Sequence, residues 1–247
     1  MDKTAYSLMY ELEKDHWWFK ARRKIVGDML DDQAPSPNSS RSILDIGCGT
    51  GANIHLLSRF GIVTGVDYFD EALAFCRENG FDNVRKDDAH KLSTFEDNSV
   101  DLVAALDVLE HVDDGQALTA IGRILKPGGH VVATVPAFKY LWSGHDDVAH
   151  HLRRYRKNEL RIKFEGAGFR IQKLTYFNTL LFAPVALSRL LKRVLGSDDG
   201  PKSDLVMPSQ SLNRLLTTIF ASERHFLKRA RLPFGISIIC IAEKSEV

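Results

Sequence analysis

Two periodicities share the chain. Over residues 4–13 and 16–32 apolar side chains return every third or fourth position, which places Leu8 with Leu12 and Trp18 with Ile25 and Met29. Both stretches therefore predict amphipathic helices. From Ser42 onward, short apolar runs take turns with helical patterns. Strands are predicted over 42–46, 62–67, 83–86, 100–106 and 130–135, and helices over 52–60, 70–79 and 115–125. Several runs are continuously apolar rather than alternating, as in strands covered on both faces of a parallel sheet. The helix over 115–125 meets Lys126-Pro127-Gly128-Gly129, where proline cannot continue it and glycine turns the chain away. Strands and helices in this alternation predict an α/β fold with a doubly wound, Rossmann-like sheet.

Beyond Pro136 the pattern loosens. Residues 137–155 read as a polar and aromatic loop, 156–167 as a helix, and 169–176 and 236–244 as the last two strands. The intervening 177–234 is too long for a turn. It is helical in two pieces, 179–195 and 212–230, around a Gly-, Asp-, Ser- and Pro-rich middle over 196–211 that is expected to be mobile. The expected organisation is an N-terminal helical arm (1–41, ending in a linker over 32–41), a ligand-binding core (42–176 with 235–247) and an inserted helical subdomain (177–234).

Composition narrows the partners. A formal net charge of +1 argues against a surface given over to nucleic acid, so a small-molecule substrate is expected. Cys48, Cys76 and Cys240 lack metal-ligand spacing and leave an odd thiol, which fits a reducing cytoplasm. The charged leading segment does not read as a signal peptide, and no apolar run is long enough to span a bilayer. The apolar stretch 180–187, followed by Arg189, Lys192 and Arg193, is read as a pocket lid or homodimer seam in preference to a membrane-surface helix.

Candidate chemistry starts at residues 42–51, S-I-L-D-I-G-C-G-T-G. A strand entering a glycine-rich turn at a helix N-terminus holds nucleotide-like ligands in open α/β sheets. Asp67 ends the second strand about 20 residues further on, where a carboxylate accepts from both hydroxyls of a ribose. Tyr68 and Phe69 follow and are placed to flank a purine. Asp87-Asp88-Ala89 comes after the third strand, placed to accept from an exocyclic amine, and Asp107–Val112 (D-V-L-E-H-V) after the fourth. All four segments fall at carboxyl ends of predicted parallel strands. Asp70 and Asp113 read as helix N-caps.

Two clusters flank this set. In the arm, His16-Trp17-Trp18-Phe19 precedes Arg22 and Arg23. These aromatics pin the arm to the core, or else one ring among Trp17, Trp18, Tyr6 and Tyr10 closes over a cationic ligand while an Arg holds a carboxylate. After the fifth strand come His145, Asp146, His150, His151, Arg153, Arg154 and Tyr155. One His there is read as a general base or pocket-lining group, with the arginines on an anion or on structural carboxylates. A metal set of His145, Asp146, His150 and His151 lacks Cys and regular helical spacing, so no metal is expected. The candidate catalytic residues are His111, His150, His151 and Tyr176.

The ordered set L-D-I-G-C-G-T-G (44–51), Asp67, D-D-A (87–89), D-V-L-E-H-V (107–112) and L-K-P-G-G (125–129) resembles the class I S-adenosylmethionine-dependent methyltransferases over residues 43–135. The resemblance implies a seven-stranded sheet with an antiparallel last strand, and S-adenosylmethionine as cofactor. It implies that Asp45, Gly47, Gly49 and Gly51 cradle the methionine part, that Asp67 binds the ribose, and that Asp88 with Ala89 meets the adenine. Asp107 would lie at the methionine end, and Tyr68, Trp18 and Arg22 are the further cofactor-binding candidates. The inserted helices depart from the hairpin found in many members, so no acceptor residues are carried over. The expected activity is methyl transfer to a small or apolar acceptor in an enclosed pocket. Two alternatives stay open. One is acceptor-independent cyclisation of S-adenosylmethionine to azetidine-2-carboxylate with release of methylthioadenosine, as in some proteins on this fold. The other is a non-catalytic cofactor-binding or membrane-associated module.

Overall fold

The computed structural model describes residues 3–33, 38, 40–194 and 206–245. Strands β1 (Ser42–Ile46), β2 (Ile62–Asp67), β3 (Val84–Lys86), β4 (Val100–Leu106), β5 (Leu125–Pro136), β6 (Phe169–Phe177) and β7 (Ser237–Lys244) form one sheet in the order β3-β2-β1-β4-β5-β7-β6. β1 pairs in parallel with β2 and β4, and β7 lies antiparallel between β5 and β6, as expected of the last strand. The parallel register places Ile46 beside Val66 and Ala105, and Leu106 beside Thr134. The carboxyl ends of the parallel strands therefore open on one edge of the sheet.

Both faces are covered, which is why the strands read as continuous apolar runs. On one face Leu118, Ile121 and Ile124 of helix α5 (Asp114–Ile124) and Leu160 and Phe164 of α7 (Lys157–Gly166) pack on Leu44, Val103 and Val131. On the other, Ile25, Met29 and Leu30 of α2 (Trp17–Gln33) join Phe220 and Leu227 of α9 (Gln210–Leu227) over Ile43, Val132 and Ile239. The arm and the insertion thus share one core layer. Asn213 stitches them, accepting from the Trp17 N–H at 2.7 Å and donating to the Asp15 carbonyl at 2.8 Å. Helix α1 (Lys3–Asp15) reaches α4 (Asp70–Glu78) through Tyr10, whose ring lies 5.3 Å from that of Phe75.

Several local expectations change. The helix over 52–60 contracts to α3 (Ile54–Leu57), and Asn53 at its cap position gives Oδ1 to Arg22 instead of to the helix backbone. α5 ends at Ile124, before the proline. Leu125 already pairs with Val100, and residues 126–129 bulge out before His130 meets Leu102. Within the loop over 137–155 lie a turn of 3-10 helix, Lys139–Leu141, and a short helix α6 (Gly144–Val148). Asp113 caps α5 through the Gln116 N–H. Asp70 is not a cap: Phe69 holds that position, and the Asp70 carboxylate pairs with Lys86 at 2.5 Å. The first inserted helix is α8 (Phe182–Val194). Parts of the linker over 32–41 and of the segment over 196–211 lie outside the described residues, as do the side chains of Tyr6, Lys192 and Arg193.

Phe220 is fully buried, with its ring 5.8 Å from Phe177 and 6.0 Å from Trp17. Phe220→Ala should cost about 3–5 kcal/mol in denaturant unfolding. A loss under about 1 kcal/mol would show that α9 is not part of the core.

Candidate active site

β1 ends at Ile46 and the backbone turns left-handed at Gly47 (φ 64°) and Gly51 (φ 82°). A Cβ at Gly47 would stand 2.9 Å from Cγ2 of Val108, and one at Gly51 2.8 Å from Cδ2 of Phe81. Neither position has room for a side chain, so backbone alone faces the cleft. The Gly49 N–H donates to Oδ2 of Asp67 and the Phe69 N–H to Oδ1, both at 3.0 Å. The acid of β2 therefore ties the glycine turn to the next loop, and burial raises its pKa. Tyr68 is exposed beside it, edge-on to Phe69 at 5.6 Å. Below the turn, neither carboxylate oxygen of buried Asp45 meets a hydrogen-bond partner among the described residues. Burial pushes its pKa up to about 7. An unpartnered buried carboxylate is costly, and this one suits a ligand that brings a cationic N–H donor.

The arm reaches over this cradle. Glu13 of α1 accepts from the Thr50 hydroxyl, and burial raises its pKa. Arg22 of α2, only 3% exposed, donates to Asp107 and, at 3.2 Å, to Oδ1 of Asn53. Its guanidinium lies 4.8 Å from the ring centre of Trp18. Asp107 has a left-handed backbone (φ 59°), and its second oxygen accepts from the Thr134 hydroxyl at 3.1 Å. Arg22 and Trp18 of the arm thus meet Asn53 and Asp107, and Glu13 meets Thr50, beside the glycine turn that Asp67 ties down. Of the arm's other rings, Trp17 packs on Phe220 and Tyr10 on Phe75.

Asp88 and Ala89 stand at the end of β3. Asp88 Oδ1 accepts from the His90 N–H at 2.9 Å and lies 2.7 Å from His90 Nδ1. Because His90 Nε2 accepts from the Asp113 N–H, its Nδ1 carries the proton and donates to Asp88. Ala89 packs on the core. Asp87, the neighbouring acid, is structural: its oxygens accept from the N–H of Asp88 and from the N–H and hydroxyl of both Ser93 and Thr94. Burial would raise its pKa, but these donors hold it below the ordinary carboxylate value. The Ser93-Thr94 pair downstream was the available signal for that role.

The His-rich rim follows β5. Asp146 is buried and receives Arg154 at 2.7 and 2.8 Å, His151 Nδ1 at 2.8 Å and the Ser143 N–H at 2.8 Å. Burial opposes ionisation there, yet His151 and Arg154 hold the carboxyl well below its usual range. Arg153 donates to Asp114 at 3.1 Å, so both arginines serve structural carboxylates. The His151 ring stands 4.7 Å from that of His111, nearly perpendicular at 80°. Partial loss of solvation around its ring and the neighbouring His151 push His111 down to about 4, although the residue as a whole keeps contact with solvent. His150 is exposed and left-handed (φ 55°), forming the turn that leads into His151. The Tyr176 hydroxyl accepts from the Lys157 N–H at 3.1 Å, and its ring stacks on Phe138 at 4.9 Å. Sequence reasoning gave Glu110, within D-V-L-E-H-V, no catalytic or binding role. It is 1% exposed, neither of its carboxylate oxygens has a hydrogen-bond partner among the described residues, and it stands beside His111 and His151.

Residues 44–133 match a family model described as a methyltransferase domain. Over 99 residues the chain is 36% identical to a ubiquinone biosynthesis O-methyltransferase of Vibrio atlanticus, a match covering 37% of this chain and 41% of that protein. Over 166 residues it is 28% identical to a probable S-adenosylmethionine-dependent methyltransferase of Mycolicibacterium smegmatis, covering 65% and 62% respectively. The crystal structure of a SAM-dependent methyltransferase from Archaeoglobus fulgidus aligns with a TM-score of 0.57 and 25% identity over 97% of this chain and 100% of that one. Residues 44–133 carry a methyltransferase domain of the class I S-adenosylmethionine-dependent superfamily, and the fold around them is that of its members. S-adenosylmethionine is the cofactor of that superfamily, and the glycine cradle with unpartnered Asp45 fits it. The matches span about two fifths and three fifths of the two curated relatives' own lengths.

The raised pKa of Asp45 has a sign. In the cofactor-free protein its contribution to stability is fully present below the ordinary carboxylate pKa and is lost as pH rises through about 7. Asp45→Asn should therefore remove a decline of up to about 4 kcal/mol from the stability profile between about pH 4 and pH 8. Parallel profiles for the two proteins in thermal unfolding would show that Asp45 ionises in the ordinary range.

Proposed function

We propose that the protein transfers the methyl group of S-adenosylmethionine to a hydroxyl of a small or apolar acceptor. The observation that carries this reading is the charge pattern at the glycine turn. An unpartnered buried carboxylate, Asp45, lies within electrostatic reach of a buried guanidinium, Arg22, supplied by the arm. Together they match a zwitterionic amino-acid end, with Asp45 and Asp107 toward the ammonium and Arg22 toward the carboxylate. Gly47, Gly49 and Gly51 let the backbone approach it. Asp67 accepts from the ribose hydroxyls, with Tyr68, Asp88 and Ala89 toward the adenine. When bound, the cofactor supplies a methyl group on a sulfonium, so the protein's work is to place the acceptor in line and exclude water.

The acceptor side lies toward β5 and β6. Phe138 stacks between Tyr140 (5.0 Å) and Tyr176 (4.9 Å), with Phe182 6.2 Å away, and this aromatic wall suits an apolar acceptor. His111 and His151 hold the acceptor oxygen or take its proton, with His150 and Tyr176 completing the catalytic set. The arm (1–41) and the insertion (177–234) act as lids on the core. The name of the Vibrio relative, a ubiquinone biosynthesis O-methyltransferase, supports a hydroxyl acceptor. Among the described residues no helix is long and apolar enough to cross a membrane. A cytoplasmic setting suits the free thiols of Cys48, Cys76 and Cys240.

Incubation with S-adenosylmethionine alone separates the alternatives. S-adenosylhomocysteine should form only when a hydroxylated acceptor is added, and acceptor-independent methylthioadenosine would overturn methyl transfer in favour of cyclisation. Asp67→Ala should weaken cofactor binding at least about tenfold in calorimetry, or about 1.4 kcal/mol. An unchanged affinity would refute the ribose assignment.

A further inference from the structure

We propose that Glu110, His111 and His151 bind a divalent cation of the zinc class on the acceptor rim. Their ligand atoms lie within 4.8 Å of one another. Zinc with bonds of about 2.0–2.2 Å holds tetrahedral ligands roughly 3.4 Å apart, a closure within reach of side-chain rotation. Acidic clusters are common on protein surfaces, but Glu110 is not a surface acid. It is 1% exposed, and neither oxygen has a hydrogen-bond partner among the described residues. A carboxylate buried without a partner is expected to be neutral or to coordinate a cation.

The surroundings are those of a supported ligand set. His151 Nδ1 faces Asp146 at 2.8 Å, which fixes the ring and leaves Nε2 as the coordinating nitrogen. Asp146 is itself held by Arg154 and Ser143. The two loops that bring the ligands together are joined directly. The Leu152 N–H donates to the Glu110 carbonyl at 2.7 Å, and the Tyr155 hydroxyl to the Leu109 carbonyl at 2.9 Å. Two imidazoles with one carboxylate favour zinc-like cations over magnesium or calcium, which take oxygen ligands. Three protein ligands leave one position open. An acceptor hydroxyl placed there would ionise more readily, so His111 and His151 would hold the acceptor oxygen through the cation rather than take its proton. That role rests on the methyl-transfer reading, whereas cation binding does not.

The test uses the full chain, dialysed against chelator and titrated with zinc chloride, with metal content and the thermal midpoint as readouts. About one equivalent should bind and raise the midpoint. Glu110→Gln, which keeps the shape of the side chain, and His111→Ala, at a solvent-facing position, should each weaken uptake at least ~100-fold, beyond the ~10–100-fold typical of residues that only support ligands. Retained S-adenosylmethionine binding in each variant shows that the fold survives, and if Glu110→Gln fails to fold, His111→Ala decides. No uptake by the wild type, magnesium bound in preference to zinc, or uptake unchanged in the variants would overturn the site. Zinc uptake without methyl transfer would instead overturn the proposed function and leave the site standing.

Discussion

The ion pair between Arg22 and Asp107 is the contact on which the rest of the site depends. Burying a guanidinium costs several kcal/mol unless it is paired and hydrogen-bonded, and Arg22 is nearly inaccessible. Its partners come from two places: Asp107 at the end of β4 and Asn53 after the glycine turn. Trp18, one helical turn earlier, packs on its face. The arm is therefore tied to the cleft by charge as well as by the apolar side of α2. Glu13 and Asp45 feel this cation, and burial raises the pKa of each.

Sheet topology supplies the frame. Parallel pairing of β1 with β2 and β4 sends each strand's carboxyl end to the same edge, so the residues just past Ile46, Asp67 and Leu106 converge although they are distant in sequence. The antiparallel β7 brings β6 to that edge as well, where Tyr176 and Phe138 stack. The rim loop is then fixed by buried contacts. Asp146 takes Arg154 and His151, while Asp114 takes Arg153, Tyr155 and Lys163. Satisfied buried polar networks of this kind rigidify a loop that carries functional groups.

The sequence was most legible where the physics is local. The bounds of β1, β2 and β4 follow directly from their apolar runs, and the glycine turn from three residues that tolerate positive φ. Asp67 could be placed because a fixed spacing after such a turn leads to the end of the next strand. Legibility failed where a side chain's partner lies elsewhere. Asn53 serves Arg22, from a helix that precedes the sheet, and leaves α3 without a side-chain cap. Asp70 has a cap residue's identity, but Phe69 occupies the cap and Lys86 draws the carboxylate away. The meeting of Glu110 with His151 needs the packing of two loops 40 residues apart in sequence, and no periodicity reports it.

The central claim is that the arm completes the cofactor cleft through Arg22. It is tested most directly by measuring S-adenosylmethionine affinity in Arg22→Met by calorimetry, alongside limited proteolysis of residues 3–33. The account predicts an affinity lowered at least about tenfold, near 1.4 kcal/mol, with faster cleavage in the arm that cofactor no longer suppresses. Wild-type affinity with an equally protected arm would contradict it.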